Sequence, residues 1–224
     1  MVTKSKQKKN PNIVEAMRHP KLMGPWFRGD SWNGWEAILK ATFALPMTDA
    51  ELAFFYQVAE RSPSSKPARE CFYIAGRRAG KDAIASLIIA HAAAFFSEQD
   101  RLRRGERALC LCLACDREQA KIALNYTRAF FQDIPPLKAM VTRETANGFE
   151  LSNQVDIAIA TNSFRSVRGR PILRCVMDEL AYFKSEDSAM PDLEVYRAIG
   201  PATATLPGSM IIGISSPYKQ SGLL

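Results

Sequence analysis

One stretch constrains the chain more than any other: Cys71-Phe-Tyr-Ile-Ala-Gly-Arg-Arg-Ala-Gly-Lys-Asp82. A short apolar run over 72–75 reads as a buried strand, and a glycine-and-arginine turn over 76–80 follows it. From Lys81 an apolar helix pattern runs through Ile84, Leu87, Ile88, His91 and Phe95. Strand, glycine turn, lysine and helix form a layout that cradles phosphate groups. N–H groups of the turn and of the helix start point at the anion, and the lysine adds a mobile positive charge. The candidate contacts are Gly76, Arg77, Arg78, Ala79, Gly80, Lys81 and Asp82. The stretch departs from the pattern G-x-x-x-x-G-K-[ST] twice: Ala75 stands at the first glycine, and Asp82 at the magnesium-binding hydroxyl. Without a ligand, the same letters make a plain turn between a strand and a helix.

The 224 residues, 47% hydrophobic and 24% charged, suffice for one substantial α/β core. Lys4, Lys6, Lys8 and Lys9 supply four of the +7 net charges, leaving +3 for the body beyond residue 10. That excess suits transient contact with a nucleic-acid backbone and equally a solubilising surface. Cys110, Cys112 and Cys115 make a C-x-C-x-x-C run, but no His or second cysteine pair lies nearby. The run over 108–114 therefore reads as a buried strand with cysteine as a small hydrophobe, not as a zinc site. Five thiols, an odd number, and no signal-peptide pattern argue for a reducing, cytoplasmic setting. No apolar run is long enough to span a membrane.

Residues 1–10 read as a disordered basic tail, 11–69 as a small N-terminal helical segment and 70–224 as the core. Within 11–69, short helices over 12–18 and 35–44 flank a loop whose Trp26, Phe27 and Trp32, with Trp35, clamp the segment to the main body. A capping box, Thr48-x-x-Glu51, opens another helix to about residue 60. Gln57 on that helix is a candidate reader of an adenine edge, the alternative being a surface glutamine. Past the helix over 81–96, the periodicity predicts a strand over 108–114, then a helix capped by Asp116 and ended by Pro135-Pro136. Strands follow over 140–143, 148–151, 155–160, 172–177 and 209–214, with a helix over 192–199. The alternation implies an α/β fold with a mainly parallel sheet and helices on both faces.

Two further strands carry chemistry at their ends. Leu173-Arg-Cys-Val-Met-Asp-Glu179 ends in two acids. Ligand sites of open parallel sheets lie beyond the carboxyl ends of the strands. With this strand a near neighbour of the phosphate loop's, Asp178 would hold Mg²⁺, and Glu179 would orient and deprotonate an attacking water. A helix-capping acid pair is the alternative. Ile211-Ile-Gly-Ile-Ser-Ser-Pro217 ends in small polar residues, and Ser215 and Ser216 are candidates for sensing a γ-phosphate; an ordinary strand-to-turn exit is the alternative.

Taken in order, four segments resemble the ATPase domain of tailed-phage terminase large subunits, over roughly residues 20–224. They are Ala75-Gly-Arg-Arg-Ala-Gly-Lys81, Ser163-Phe-Arg-Ser-Val-Arg-Gly169, Val176-Met-Asp-Glu-Leu-Ala-Tyr-Phe183 and Ile214-Ser-Ser-Pro-Tyr218. The resemblance implies a P-loop NTPase of the RecA/ASCE type, with ATP and Mg²⁺ as cofactors. It implies a motor that packages double-stranded DNA into a prohead in the cytoplasm of the bacterial host. The implied partners are DNA, the portal and prohead, the small terminase subunit, and further copies of the chain in a ring. Lys81 resembles the family's phosphate-binding lysine, Asp178 its magnesium-binding acid, Glu179 its catalytic glutamate, and Ser215 and Ser216 its coupling motif. Arg77, rather than Arg78, matches an arginine proposed as an internal finger, a group worth about 10³–10⁵ in rate in other systems. Arg168 either contacts phosphates of its own or a neighbouring subunit or braces its loop.

Asp82 departs from the family's Ser or Thr. It is either a stronger Mg²⁺ ligand or a helix cap that leaves the metal to Asp178 and water. The chain stops at Leu224, so the expectation is an ATPase unit cut short, with no nuclease domain in it. Two rival readings stay open: a helicase-like P-loop ATPase acting on nucleic acid, and a degenerate nucleotide-binding module without turnover.

Overall fold

Seven strands form one sheet in the order β1-β7-β6-β2-β5-β4-β3. They are β1 (Glu70–Ile74), β2 (Ala108–Ala114), β3 (Val141–Thr145), β4 (Gly148–Leu151), β5 (Val155–Thr161), β6 (Ile172–Asp178) and β7 (Met210–Ser215). This is a computed structural model, and it describes residues 10–161, 169–183, 191–218 and 223. The first five strands of that order run parallel, and β4 and β3 continue the sheet as an antiparallel meander.

The parallel core follows from the sequence. Every residue of β2 and of β7 is buried. Continuous apolar runs such as Leu109–Leu113 and Met210–Ile212 are what strands covered on both faces require. The helices are α1 (Ile13–Arg18), α2 (Asn33–Thr42), α3 (Asp49–Ala59), α4 (Lys81–Ala94), α5 (Arg117–Asp133), α6 (Pro135–Lys138) and α7 (Pro191–Ile199). On one face α1, α4 and α5 bring Met17, Ile84, Leu87, Ile88 and Phe130 against Cys110, Cys112, Val176 and Ile212. On the other, Val195 and Ile199 of α7 join Leu109, Leu111, Met177 and Ile211. Each fully buried Leu or Ile stabilises the fold by about 1.5–3 kcal/mol relative to exposure.

The N-terminal helices are tied to one another by charge. Arg18 donates to Glu36, to Asn33 Oδ1 and to Phe27 O, while Lys40 bridges Glu36 at 3.1 Å and Glu51 at 2.5 Å. The expected capping box forms, with Thr48 Oγ1 accepting from Glu51 N and the Glu51 carboxylate from Thr48 N.

Two expectations need correction. Pro135 and Pro136 do not simply end α5; they open α6, where a missing N–H costs nothing in the first turn. β1 is not a buried strand but an edge strand, with Tyr73 inward and Phe72 and Ile74 exposed. The strands over 141–151 are the antiparallel part of the mainly parallel sheet that the sequence implies. The basic tail falls almost wholly outside the described residues.

Candidate nucleotide site

β7 lies between β1 and β6, so the three chemical stretches emerge side by side at the carboxyl ends of adjacent strands. Ala75 N donates to Ser215 O at 3.0 Å, extending the β1–β7 pairing to the first residue of the loop. Gly76, Arg77, Arg78, Ala79 and Gly80 then turn into α4, with Arg78 and Gly80 in the left-handed region (φ +62° and +79°). Lys81, the first residue of α4, is buried. Its Nζ donates to Ser216 Oγ at 2.9 Å and Gly76 O at 3.1 Å and lies 3.6 Å from Glu179 Oε1.

Glu179 follows β6 and has φ +49°, a strained conformation for a residue with a side chain. That backbone turn accompanies a carboxylate facing β7: Glu179 Oε2 accepts from Ser215 Oγ and from Ser216 N, each at 3.2 Å. Ser215 Oγ in turn accepts from Ala181 N. The phosphate-loop lysine, the second acid and both serines thus form one hydrogen-bonded unit. The neighbouring acid behaves differently. Asp178 is fully buried; Oδ2 accepts from Gln119 Nε2 at 3.2 Å, and Oδ1 has no partner among the described residues. Burial pushes Asp178 up to about 6, opposed by the Gln119 hydrogen bond and assisted by the Asp82 and Glu179 charges.

A cavity of about 410 Å³ opens over this unit, lined by Arg77 to Asp82, Cys115, Gln119, Glu179, Tyr182 and Ser216. Arg77 and Arg78 are both exposed at its rim. Asp82 is half-buried beneath it, its pKa raised by burial, lowered by Lys81 and raised again by Glu179. Among the described residues no group of three or more His, Cys, Asp or Glu side chains is assembled to hold a metal ion. Mg²⁺ does not need one, since it is commonly held by one or two carboxylates with water and substrate phosphates. The orphaned, buried Asp178 Oδ1 beside Asp82 fits that demand.

One predicted residue is not brought here. Gln57 is exposed on α3 and lines neither this cavity nor a larger one of about 720 Å³ between α2, α3 and β1. Arg168 lies outside the described residues. Sequence reasoning missed Gln119. Its signal was present in Asp116, which caps α5 by accepting from Gln119 N and so sets Gln119 in the first helical turn past β2.

A parallel α/β sheet with a lysine-bearing glycine turn after one strand, and an acid pair after another, defines the P-loop NTPase fold of the ASCE type. Within that class the chain is similar in structure to the large terminase of bacteriophage HK97. The TM-score is 0.61 and the identity 15%, over 93% of this chain and 38% of that one. It is also similar to the large terminase ATPase domain of Thermus phage P74-26, with TM-score 0.49 and 14% identity over 78% of this chain and 71% of that one. The resemblance in sequence motifs is therefore matched by the fold, and this chain spans about two-fifths of the HK97 protein. No family model matches the sequence, and no curated protein matches it.

Proposed function

We propose that this chain is the ATP-hydrolysing motor domain of a phage large terminase, driving double-stranded DNA into a prohead. The observation that carries the reading is the unit of Lys81, Glu179, Ser215 and Ser216, with Asp178 buried beside it on the same side of the sheet. Lys81 would exchange Ser216 and the Gly76 carbonyl for β- and γ-phosphate oxygens. Arg77 at the rim, more than Arg78, would offset charge developing on the transferred phosphoryl group. Glu179 would orient the attacking water and accept its proton. Asp178, with Asp82 as a second candidate, would hold Mg²⁺, which when bound neutralises charge on the phosphates. The larger cavity, walled by Trp35, Phe54, Phe55 and Tyr73, suits the flat apolar face of adenine.

Ser216 touches both Lys81 and Glu179, and Ser215 touches Glu179, so loss of the γ-phosphate would be felt at β7 and passed onward. Arg168 remains a candidate phosphate contact. The partners in this reading are DNA, the portal of the prohead, the small terminase subunit and further copies of this chain in a ring, in the host cytoplasm. No helix among the described residues is long and apolar enough to cross a membrane.

Phosphate release by purified protein with saturating Mg-ATP tests the reading. Lys81→Ala should fall to background, and Glu179→Gln should bind ATP yet turn over at least about a hundredfold more slowly, within the range for losing a general base. Equal rates for wild type and Lys81→Ala would sink the enzyme reading. Stimulation by DNA alone, without portal or prohead, would favour a helicase-like ATPase instead.

A further inference from the structure

Two tryptophans outside the phosphate loop hold it in shape. Trp35, buried on α2, donates its indole Nε1–H to Ala79 O at 2.6 Å. Its ring meets Tyr73 of β1 edge-on, with centroids 5.6 Å apart and planes at 79°. The Tyr73 hydroxyl is in turn hydrogen-bonded with Thr42 Oγ1 at 2.8 Å. The donor is therefore anchored from both the helix and the strand. Trp32 closes the next position: Gly80 has φ +79°, and a Cβ there would meet Cη2 and Cζ3 of Trp32 at 2.8 Å.

The consequence follows from peptide geometry. The bond between Ala79 and Gly80 is trans and planar, so its C=O and N–H point in opposite directions. With Ala79 O turned toward Trp35, the Gly80 N–H faces away from α2. Trp35 borders the larger cavity and Gly80 the smaller one, which is lined by Lys81 and Glu179. An N–H held there belongs to the set of backbone donors that recognises phosphate oxygens.

We propose that Trp35, backed by Trp32, is a positioning residue for phosphate recognition, orienting the Ala79–Gly80 peptide so that its N–H donates to the nucleotide. The inference rests on the nucleotide reading above and adds to it a residue from the N-terminal segment that touches no reacting atom. A hydrophobic clamp would need only the ring; this role needs the indole N–H.

The test uses Trp35→Phe, which keeps an aromatic ring and removes the donor. Binding of a fluorescent mant-ATP is measured, then its displacement by pyrophosphate and, separately, by adenosine. Affinity for mant-ATP and pyrophosphate should fall about tenfold, the scale of one hydrogen bond to a charged group, and by more than any change in adenosine, whose proposed cavity the ring also borders. Pyrophosphate binding equal to wild type in a folded Trp35→Phe would overturn the inference and leave the nucleotide reading standing. Wild type that binds no mant-ATP overturns both. If Trp35→Phe does not fold, wild-type fluorescence decides: pyrophosphate alone should shift the tryptophan emission, and an unmoved spectrum at saturation rejects the role.

Discussion

Asp178 sits with its whole side chain out of solvent, one oxygen on Gln119 and the other without a partner. Burial is the main reason its pKa rises from 3.8 to about 6; the Gln119 hydrogen bond pulls the other way, and Asp82 and Glu179 add to the rise. Between those two values the folded protein holds the proton more tightly than the unfolded chain does. Stability therefore falls as pH rises through that window, and the full penalty is present above it. At about 1.36 kcal/mol per pKa unit, it amounts to roughly 2–3 kcal/mol. The metal-binding role proposed for Asp178 would account for an acid kept at such a cost. Asp178→Asn should thus unfold at higher denaturant than wild type at about pH 8, and the two should converge near pH 3.5, where both are neutral. Equal midpoints at both pH values would mean that the carboxylate is not desolvated as the fold indicates.

At the scale of elements, local signals were legible and strand order was not. The strand, turn and helix around Lys81 could be read because glycine, apolar period and charge all act within a few residues. The capping box at Thr48 and the cap at Asp116 are local in the same way. That β7 inserts between β1 and β6 depends on contacts 36 residues or more apart, such as Ser215 with Glu179, for which no short pattern exists. The two readings of Gln57 stayed open for the same reason: its sequence position precedes the loop, but tertiary packing decides its side of α3, and there it is exposed. Gly213 now acquires a reason. It lies mid-strand in β7, and a Cβ there would meet Phe72 Cδ1 at 2.5 Å and Leu180 Cδ2 at 2.9 Å. Those side chains belong to the two flanks that carry the loop and the acid pair. Gly213→Ala should cost about 1–3 kcal/mol in denaturant unfolding, as overpacked cores do, and Gly213→Val more. Because Ser215 and Ser216 follow on the same strand, mant-ATP affinity should fall with it. Full stability in Gly213→Ala would show that β1 can shift outward at no cost.

For the whole molecule, the sheet closes differently at its two ends. Beyond β5 the meander of β4 and β3 finishes with exposed polar residues, Thr142, Arg143, Glu144 and Thr145. Such a rim discourages further pairing. At the other end, among the described residues, β1 pairs only with β7, and one of its faces carries Ile74, 61% exposed, with Phe72 two residues before it. The neighbouring helix α3 also turns Leu52, Tyr56 and Val58 outward. Together they make an apolar flank beside an open row of backbone donors and acceptors, the arrangement that pairs strands between chains. The isolated chain should accordingly self-associate as its concentration rises. A lysine on an edge strand opposes such pairing through its charge and the hydration it demands. Ile74→Lys should therefore sediment as a monomer at concentrations where wild type forms larger species. The side chain points to solvent, so folding should be little changed, within about 0.5 kcal/mol for an exposed site. If wild type is already monomeric at the highest concentration reached, the flank is less adhesive than its exposure indicates. If Ile74→Lys associates as strongly as wild type, the contact runs through another surface, and Tyr56→Lys on α3 is the next variant to sediment.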